Sequence, residues 1–274
     1  MPDFSHVPSI GLHHPYIKQY LAIKNNTHTN PENLACIEGL RAFSRAHKAG
    51  LEMRSCFICP ELLRGEESKN IAKHMIANGT PSFVVSAKTL AHLVDWEGPD
   101  GLVALVKLPH FSWQHVTLRT YNAILVLDGL QIPGNIGTII RSADGAGADA
   151  IIITNRKQRL SHPRLVRASI GSLFSFPIIE AEVRQAIDWL RQQHFKIITT
   201  DTEAQTSYRQ VSYEGRIAVV MGNEHSGISQ QWYEAHDVSV SIPMNGSGDS
   251  LNVSNAAVLM LYEMLHQQGR LLRV

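Results

Sequence analysis

The chain has 274 residues, of which 44% are hydrophobic and 18% charged, with a formal net charge of +1. That composition excludes a disordered chain, a collagen and a coiled-coil rod, and the length has room for two compact domains. A near-zero net charge neither demands nor excludes a nucleic acid, so any attraction to a polyanion has to come from local clusters of Lys, Arg and the 14 histidines.

The start, Met1-Pro2-Asp3-Phe4-Ser5-His6, lacks the basic segment and apolar core of a secretory leader. No apolar run reaches the ~20 residues of a membrane helix. A cytoplasmic location is therefore expected. Cys36, Cys56 and Cys59 are too few for a disulfide framework. The pair in Cys56-Phe57-Ile58-Cys59 falls on an apolar strand pattern, where residues three apart face opposite ways, and no second pair completes a zinc site. Buried, unreactive thiols and no metal are expected, since the histidines show no ligand spacing either.

In chain order, helix patterns over 15–24 and 39–48 flank a short apolar run at 34–37, and Gly50 is placed to close the second helix. A strand at 54–60, a helix over 66–78, a strand at 82–86, a short helix at 90–94 and a strand at 102–108 complete a small α/β unit. Residues 109–121 have no period and read as a linker. The second half opens with an apolar strand at 123–127, followed by strands at 150–154, 196–200, 217–221 and 238–242. Helical patterns at 136–146, 183–193 and 251–268 lie among them. Strands apolar throughout and alternating with helices predict a parallel sheet covered on both faces. The predicted boundaries are a first domain at 1–110, a linker at 111–121 and a second domain at 122–274.

Ligands of open α/β sheets gather at the carboxyl ends of the strands, and three unusual segments sit there. The first is Gln131-Ile132-Pro133-Gly134-Asn135-Ile136-Gly137-Thr138-Ile139-Ile140-Arg141, a tight turn with Asn135 placed to cap the helix that carries Arg141. The second, Met221-Gly222-Asn223-Glu224, runs straight out of a strand, with a glycine where a ligand could approach the backbone. In the third, Pro243, Gly246 and Gly248 build a long bend before Ser250-Leu251-Asn252-Val253-Ser254 opens the last helix, with Ser250 or Asn252 as caps. Taken singly, each is as readily a capped helix or a plain loop. Gly145-Ala146-Gly147 ends a helix rather than joining a strand to one, so it is not a dinucleotide fingerprint.

In that order, an Asn-x-Gly-x-x-x-Arg segment, a Gly-x-Glu loop and a Ser-Leu-Asn-Val-Ser helix start resemble the SpoU–TrmH family of RNA 2′-O-methyltransferases, of the SPOUT class. The resemblance is close over the second half. It is looser over the first, where His14-Pro15-Tyr16-Ile17-Lys18 and Ile37-Glu38-Gly39 look like family landmarks. It implies a C-terminal trefoil-knotted SPOUT methyltransferase domain and a smaller N-terminal α/β RNA-binding domain resembling a ribosomal protein. It implies S-adenosyl-L-methionine as cofactor, held by Gly222, Ile242, Met244 and Leu251 with Thr199 or Thr200, and a homodimer formed through the C-terminal domain. Asn135, Arg141, Glu224, Ser250 and Asn252 are implied as catalytic.

Among basic residues, Lys18, Lys24, Arg41, Arg45 and Lys48 in the first half, and Arg156, Lys157, Arg159, Arg164 and Arg167 around Ser161-His162-Pro163, are candidates for RNA contact. Lys18, Arg41, Arg164 and Arg167 are the leading ones. The Pro-Gly-Asn-Ile-Gly turn, with residues 169–175, is most similar to ribosomal RNA methylases, including thiostrepton- and avilamycin-resistance enzymes, so 23S rRNA is the expected substrate. The alternatives are a transfer RNA methylase of the same chemistry and a non-catalytic RNA-binding protein of the same fold.

Overall fold

A computed structural model of the chain describes residues 4–95, 100–223 and 226–271. Two compact units emerge. One comprises Met1–Pro109 with Leu160–Ser175, the other His110–Arg159 with Phe176–Val274.

In the first unit, helix α1 (Pro15–Lys24) starts as its sequence dictates, with Pro15 in the first turn and the His14 ring accepting the Tyr16 N–H. Strand β1 (Leu34–Glu38), helix α2 (Leu40–Lys48), strand β2 (Met53–Ile58), helix α3 (Gly65–Ala77), strand β3 (Ser82–Val84), helix α4 (Ala87–Leu93) and strand β4 (Leu102–Lys107) follow. They build a sheet of order β1-β4-β2-β3 in which β4 runs antiparallel to both neighbours and β2 pairs with β3 in parallel. Tyr20 packs edge-on against Phe57, centroids 5.6 Å apart, within a core that includes Leu90 and Val103. Cys36, Cys56 and Cys59 are free and buried, and burial pushes all three thiols up, away from reactivity.

The second unit contains strand β5 (Asn122–Asp128), helix α5 (Pro133–Ala146) and strand β6 (Ala150–Thr154). The chain then makes helix α6 (Pro163–Ser169), which belongs to the first unit. Strand β7 (Ile178–Glu180), helix α7 (Val183–Gln192), strands β8 (Lys196–Thr200) and β9 (Arg216–Met221), helix α8 (Gln230–Ala235), strand β10 (Val238–Val240) and helix α9 (Val253–Gln267) complete it. The sheet has the order β10-β8-β9-β5-β6-β7 and every pairing is parallel. Central β5 is buried along its whole length, as a strand covered on both faces must be. From edge strand β10 the chain returns to lay α9 against α5, β5 and β9. The Gln268 amide then donates to the carbonyls of Asn122, Tyr213 and Gly215.

Two sequence expectations need revision. Residues 111–121 are no free linker: Val116 is buried in the second unit's core, and Trp113 stacks on Trp189 with centroids 4.6 Å apart. Residues 160–175, predicted within the second domain, pack on the first. Asn30 Nδ2 donates to Ser161 Oγ at 3.1 Å, and Arg45 Nη1 to Ser172 Oγ at 3.1 Å. At Gly171, with φ +84°, a Cβ would fall 2.8 Å from Arg45 Cδ, so the close approach requires glycine.

Candidate active site

The loops after β5, β9 and β10 leave the same end of the parallel sheet, which is where the order of strands reverses around β5 and β9. Their anchor is a residue the sequence did not single out. Asp128, at the end of β5, is 2% exposed. Its Oδ1 accepts from Thr154 Oγ1 and Asn155 Nδ2, each at 2.8 Å, and its Oδ2 accepts the Ser229 N–H at 2.7 Å. One carboxylate thereby ties the ends of β5 and β6 to the loop after β9. Asn223 Nδ2 adds a bond to the Gly129 carbonyl at 3.1 Å. The signal that could have revealed Asp128 is a lone carboxylate closing an otherwise apolar strand, because a buried charge persists only where donors meet it.

Asn135 does not cap α5. The helix begins with Pro133 in its first turn and Ile132 at the cap, because proline needs no N–H partner there. Asn135 instead lies in the first turn, where its Oδ1 receives Asn252 Nδ2 at 3.4 Å. Asn252 is the true cap of α9, its Oδ1 accepting the Ser254 N–H at 2.9 Å and Ser254 Oγ at 2.6 Å. First and third motifs are thus joined side chain to side chain. Ser250, two residues before that cap, is exposed. Six residues after Asn135, and so about 9 Å further along the helix axis, Arg141 is exposed and makes no hydrogen bond or ion pair among the described residues. Glu224 lies outside the described residues.

At Gly222 the main chain of the same loop comes close. A Cβ there would fall 2.4 Å from the Gly227 carbonyl carbon and 2.6 Å from the Ile228 nitrogen. The loop folds back there, closed by paired Asn223 and Gly227 main-chain bonds of 2.9 and 3.0 Å, so this close approach requires glycine. Thr199 is fully buried, with Oγ1 2.6 Å from Ser239 Oγ, while Thr200 Oγ1 donates to the Val220 carbonyl at 2.9 Å. Both hydroxyls therefore bind strand to strand.

Ile242 and Leu251 are half-buried, and Met244 is 39% exposed. Across 242–251 the main chain makes no hydrogen bond to another main-chain group among the described residues. Apolar side chains beside unspent N–H and C=O groups suit an adenine ring and a thioether chain, which need apolar cover and a few edge bonds. These residues therefore fit S-adenosylmethionine. No group of three or more metal-ligating side chains occurs among the described residues.

The basic candidates divide. Lys18, Arg41 and Arg164 are exposed. Arg167 instead bridges Asp95 at 2.9 Å and Glu38 at 3.5 Å, and Lys24, nearly buried, pairs with Asp95 at 2.8 Å. Burial pushes the Glu38 carboxyl up, with Arg167 and Lys24 pulling the other way. Arg156 pairs with Glu180 at 2.9 Å.

A parallel sheet whose order reverses beneath a loop cluster with apolar side chains and free main-chain groups defines an α/β ligand-binding domain, here accompanied by a small mixed-sheet domain. The SpoU rRNA Methylase family profile matches residues 122–262, and the MRM3-like substrate binding domain profile matches 14–104. The chain belongs to the SpoU rRNA methylase family.

Among its relatives is the 23S rRNA (uridine(2479)-2'-O)-methyltransferase of Streptomyces viridochromogenes, 34% identical over 178 residues, which are 63% of this chain and 62% of that one. Another is the 23S rRNA (guanosine(2553)-2'-O)-methyltransferase RlmP of Bacillus subtilis, 25% identical over 90% of this chain and 95% of its own. The AdoMet-bound rRNA methyltransferase of Sinorhizobium meliloti superposes with a TM-score of 0.86 at 26% identity, covering 95% of this chain and 98% of that one.

Proposed function

We propose that this chain transfers the methyl group of S-adenosyl-L-methionine to a ribose 2′-hydroxyl of 23S ribosomal RNA. The observation that carries this reading is the Asn135–Asn252 contact, which joins motifs 117 positions apart at the open end of the parallel sheet. The two named relatives act at a uridine and a guanosine, so what they share is chemistry at the ribose rather than at one base. The first unit, which matches the MRM3-like substrate binding domain profile along most of its length, would select the RNA.

When bound, the cofactor supplies an electrophilic methyl group on a sulfonium. The main chain of 242–251, with Ile242, Met244 and Leu251, would hold it, and Gly222 would keep the neighbouring loop closed. Thr199 and Thr200 would act indirectly, by fixing the strand ends. The protein's part is then alignment, worth much of the rate once oxygen and carbon are held at ~3–3.5 Å. A guanidinium has no lone pair to offer as a base, so the role of Arg141 is to bind the phosphate beside the target ribose and stabilise the developing alkoxide. Asn135, Ser250 and Asn252 would orient the ribose, with Glu224 completing the set. Lys18, Arg41 and Arg164 would meet the RNA.

The return of the chain from edge strand β10 to α9 supports a trefoil knot in this domain. Exposed Leu259 and Tyr262 on α9, with Ile132 at the start of α5, support a homodimer through these helices. No described helix is long and apolar enough to cross a membrane, which agrees with a cytoplasmic enzyme.

Transfer of labelled methyl to separated 23S, 16S and transfer RNA tests the proposal. Label is expected in 23S rRNA at one alkali-resistant ribose. Arg141→Lys should lower turnover about 100-fold or more while leaving cofactor affinity unchanged. Near-normal turnover of that variant would remove the guanidinium from the mechanism, and label only in transfer RNA would overturn the substrate.

A further inference from the structure

The first unit holds a cavity of about 540 Å³ that the methyl-transfer chemistry does not use. It opens where β1 turns into α2 and is roofed by α6, all within that unit. Its walls are apolar, with Leu40, Pro163, Val166 and Ile170 among them. Four charged side chains also line it: Glu38, Asp100, Arg41 and Arg167.

Those four narrow what can enter. Two carboxylates repel a bare phosphate, and two guanidinium groups repel a cation. A neutral ring with apolar faces and both donors and acceptors on its edge remains, and the volume lies in the range of small-molecule sites. Bonding capacity is left over on both sides. Arg41 makes no hydrogen bond or ion pair among the described residues. Asp100 Oδ2 receives the Leu40 N–H at 3.1 Å, and the Arg167 bond to Glu38 is stretched to 3.5 Å, so both carboxylates keep free lone pairs.

Among nucleobases, guanine fits this set best. Its adjacent N1–H and N2–H₂ donors match the two oxygens of one carboxylate, and its O6 and N7 acceptors match a guanidinium. Uracil presents a single N–H between two carbonyls, which a carboxylate repels. Adenine and cytosine place an acceptor beside their amino group. Sequence-specific RNA recognition works on such unstacked bases.

We propose that this cavity binds an unpaired guanine of the substrate RNA, apart from the methylated ribose, and thereby contributes to choice of target. The proposal rests on the RNA methyltransferase reading for its biological setting, but the pocket can be tested without it.

Guanosine 5′-monophosphate titrated into the full-length protein, followed by calorimetry, is expected to bind at least about tenfold tighter than the adenosine, cytidine and uridine monophosphates. Glu38→Gln and Asp100→Asn should each weaken guanosine monophosphate about tenfold by turning an acceptor into a donor. Ala42→Trp, which fills the cavity, should abolish it. Cofactor affinity should be unchanged in all three variants, which also verifies that they fold. In parallel methyl-transfer assays, the same variants should raise KM for 23S rRNA while kcat is retained. Equal binding of the four nucleotides, binding insensitive to all three substitutions, or an unchanged KM for RNA in all of them would overturn the proposal. Selective guanosine binding in a protein that transfers no methyl group would uphold the pocket and defeat the enzymatic reading instead.

Discussion

Asp128 shows how much of the site depends on one side chain. Its three hydrogen bonds reach two strand ends and a distant loop, and it is 2% exposed. Asp128→Asn keeps the shape but replaces one acceptor with an amide donor, which must then face a donor already present. Leaving a buried group unpaired costs about 1–3 kcal/mol, so the variant should lose about that much unfolding free energy, read as a lower urea midpoint. Because the Ser229 bond holds the loop after β9, its cofactor affinity should also fall. An equal fall in stability with cofactor affinity unchanged would mean that Asp128 supports the sheet but not the loop. Gly222→Ala should be worse tolerated, since the new methyl group meets main-chain atoms at 2.4–2.7 Å that cannot rotate away. Neither role was legible in the sequence. The sequence shows Gly222 only as a glycine after a strand, and which atoms fill the space beside it depends on a loop that folds back five residues later.

At the level of elements, polar clasps at strand ends matter as much as apolar faces. Asp237, just before β10, accepts from Arg191 Nη1 on α7 and from the Ile197 N–H on β8, each at 2.7 Å. Burial works against its ionised form, but the Arg191 and Ile197 bonds outweigh it and hold the carboxyl below its usual value. A carboxyl depressed in the folded state adds stability that is complete above its unfolded pKa, about 3.9, and is lost as pH falls through the folded value. Asp237→Asn should therefore lose less stability than the native chain on acidification below about pH 4, with tryptophan fluorescence as the reporter. Parallel acid limbs for the two proteins would show that the clasp contributes nothing.

The long apolar strands and the periodic helices were readable in the sequence because burial on both faces or on one stripe writes itself into composition. Helices α6 and α8, with 7 and 6 residues, and the three-residue β7 were not foreseen. Segments so short have little periodicity and draw their stability from tertiary contacts. Asn135 looks like a cap in the sequence for a related reason. The turn residues before α5 are recognisable, but proline sets the helix start three residues earlier than the pattern of apolar positions suggests.

On the scale of the whole molecule, chain order and packing order disagree, and folding must reconcile them. The first unit, over 1–109, is completed by residues 160–175, which are synthesised after β5, α5 and β6 of the second unit. Helix α6 packs on β1 and buries Leu165 and Val166, at 0% and 5% exposure. Each fully buried side chain of that size is worth about 1.5–3 kcal/mol, whereas exposed ion pairs such as Arg167–Asp95 contribute about 0–1 kcal/mol. The apolar contacts therefore dominate, at roughly 3–6 kcal/mol for the pair, a large share of the about 5–15 kcal/mol that stabilises a domain.

Residues 1–109 expressed alone should accordingly unfold at markedly lower urea concentration than the same unit within the full chain, where its transition can be followed by hydrogen exchange at β1 and β4. A synthetic peptide of residues 160–175 added in excess should restore part of the difference, and the same peptide with Leu165→Ala and Val166→Ala should restore less. If 1–109 alone matched the full chain, α6 would be a passenger on a self-sufficient unit. If it is weakened as expected, the first unit reaches its final form only once residues 160–175, which follow β5, α5 and β6 in the chain, are available to pack on it.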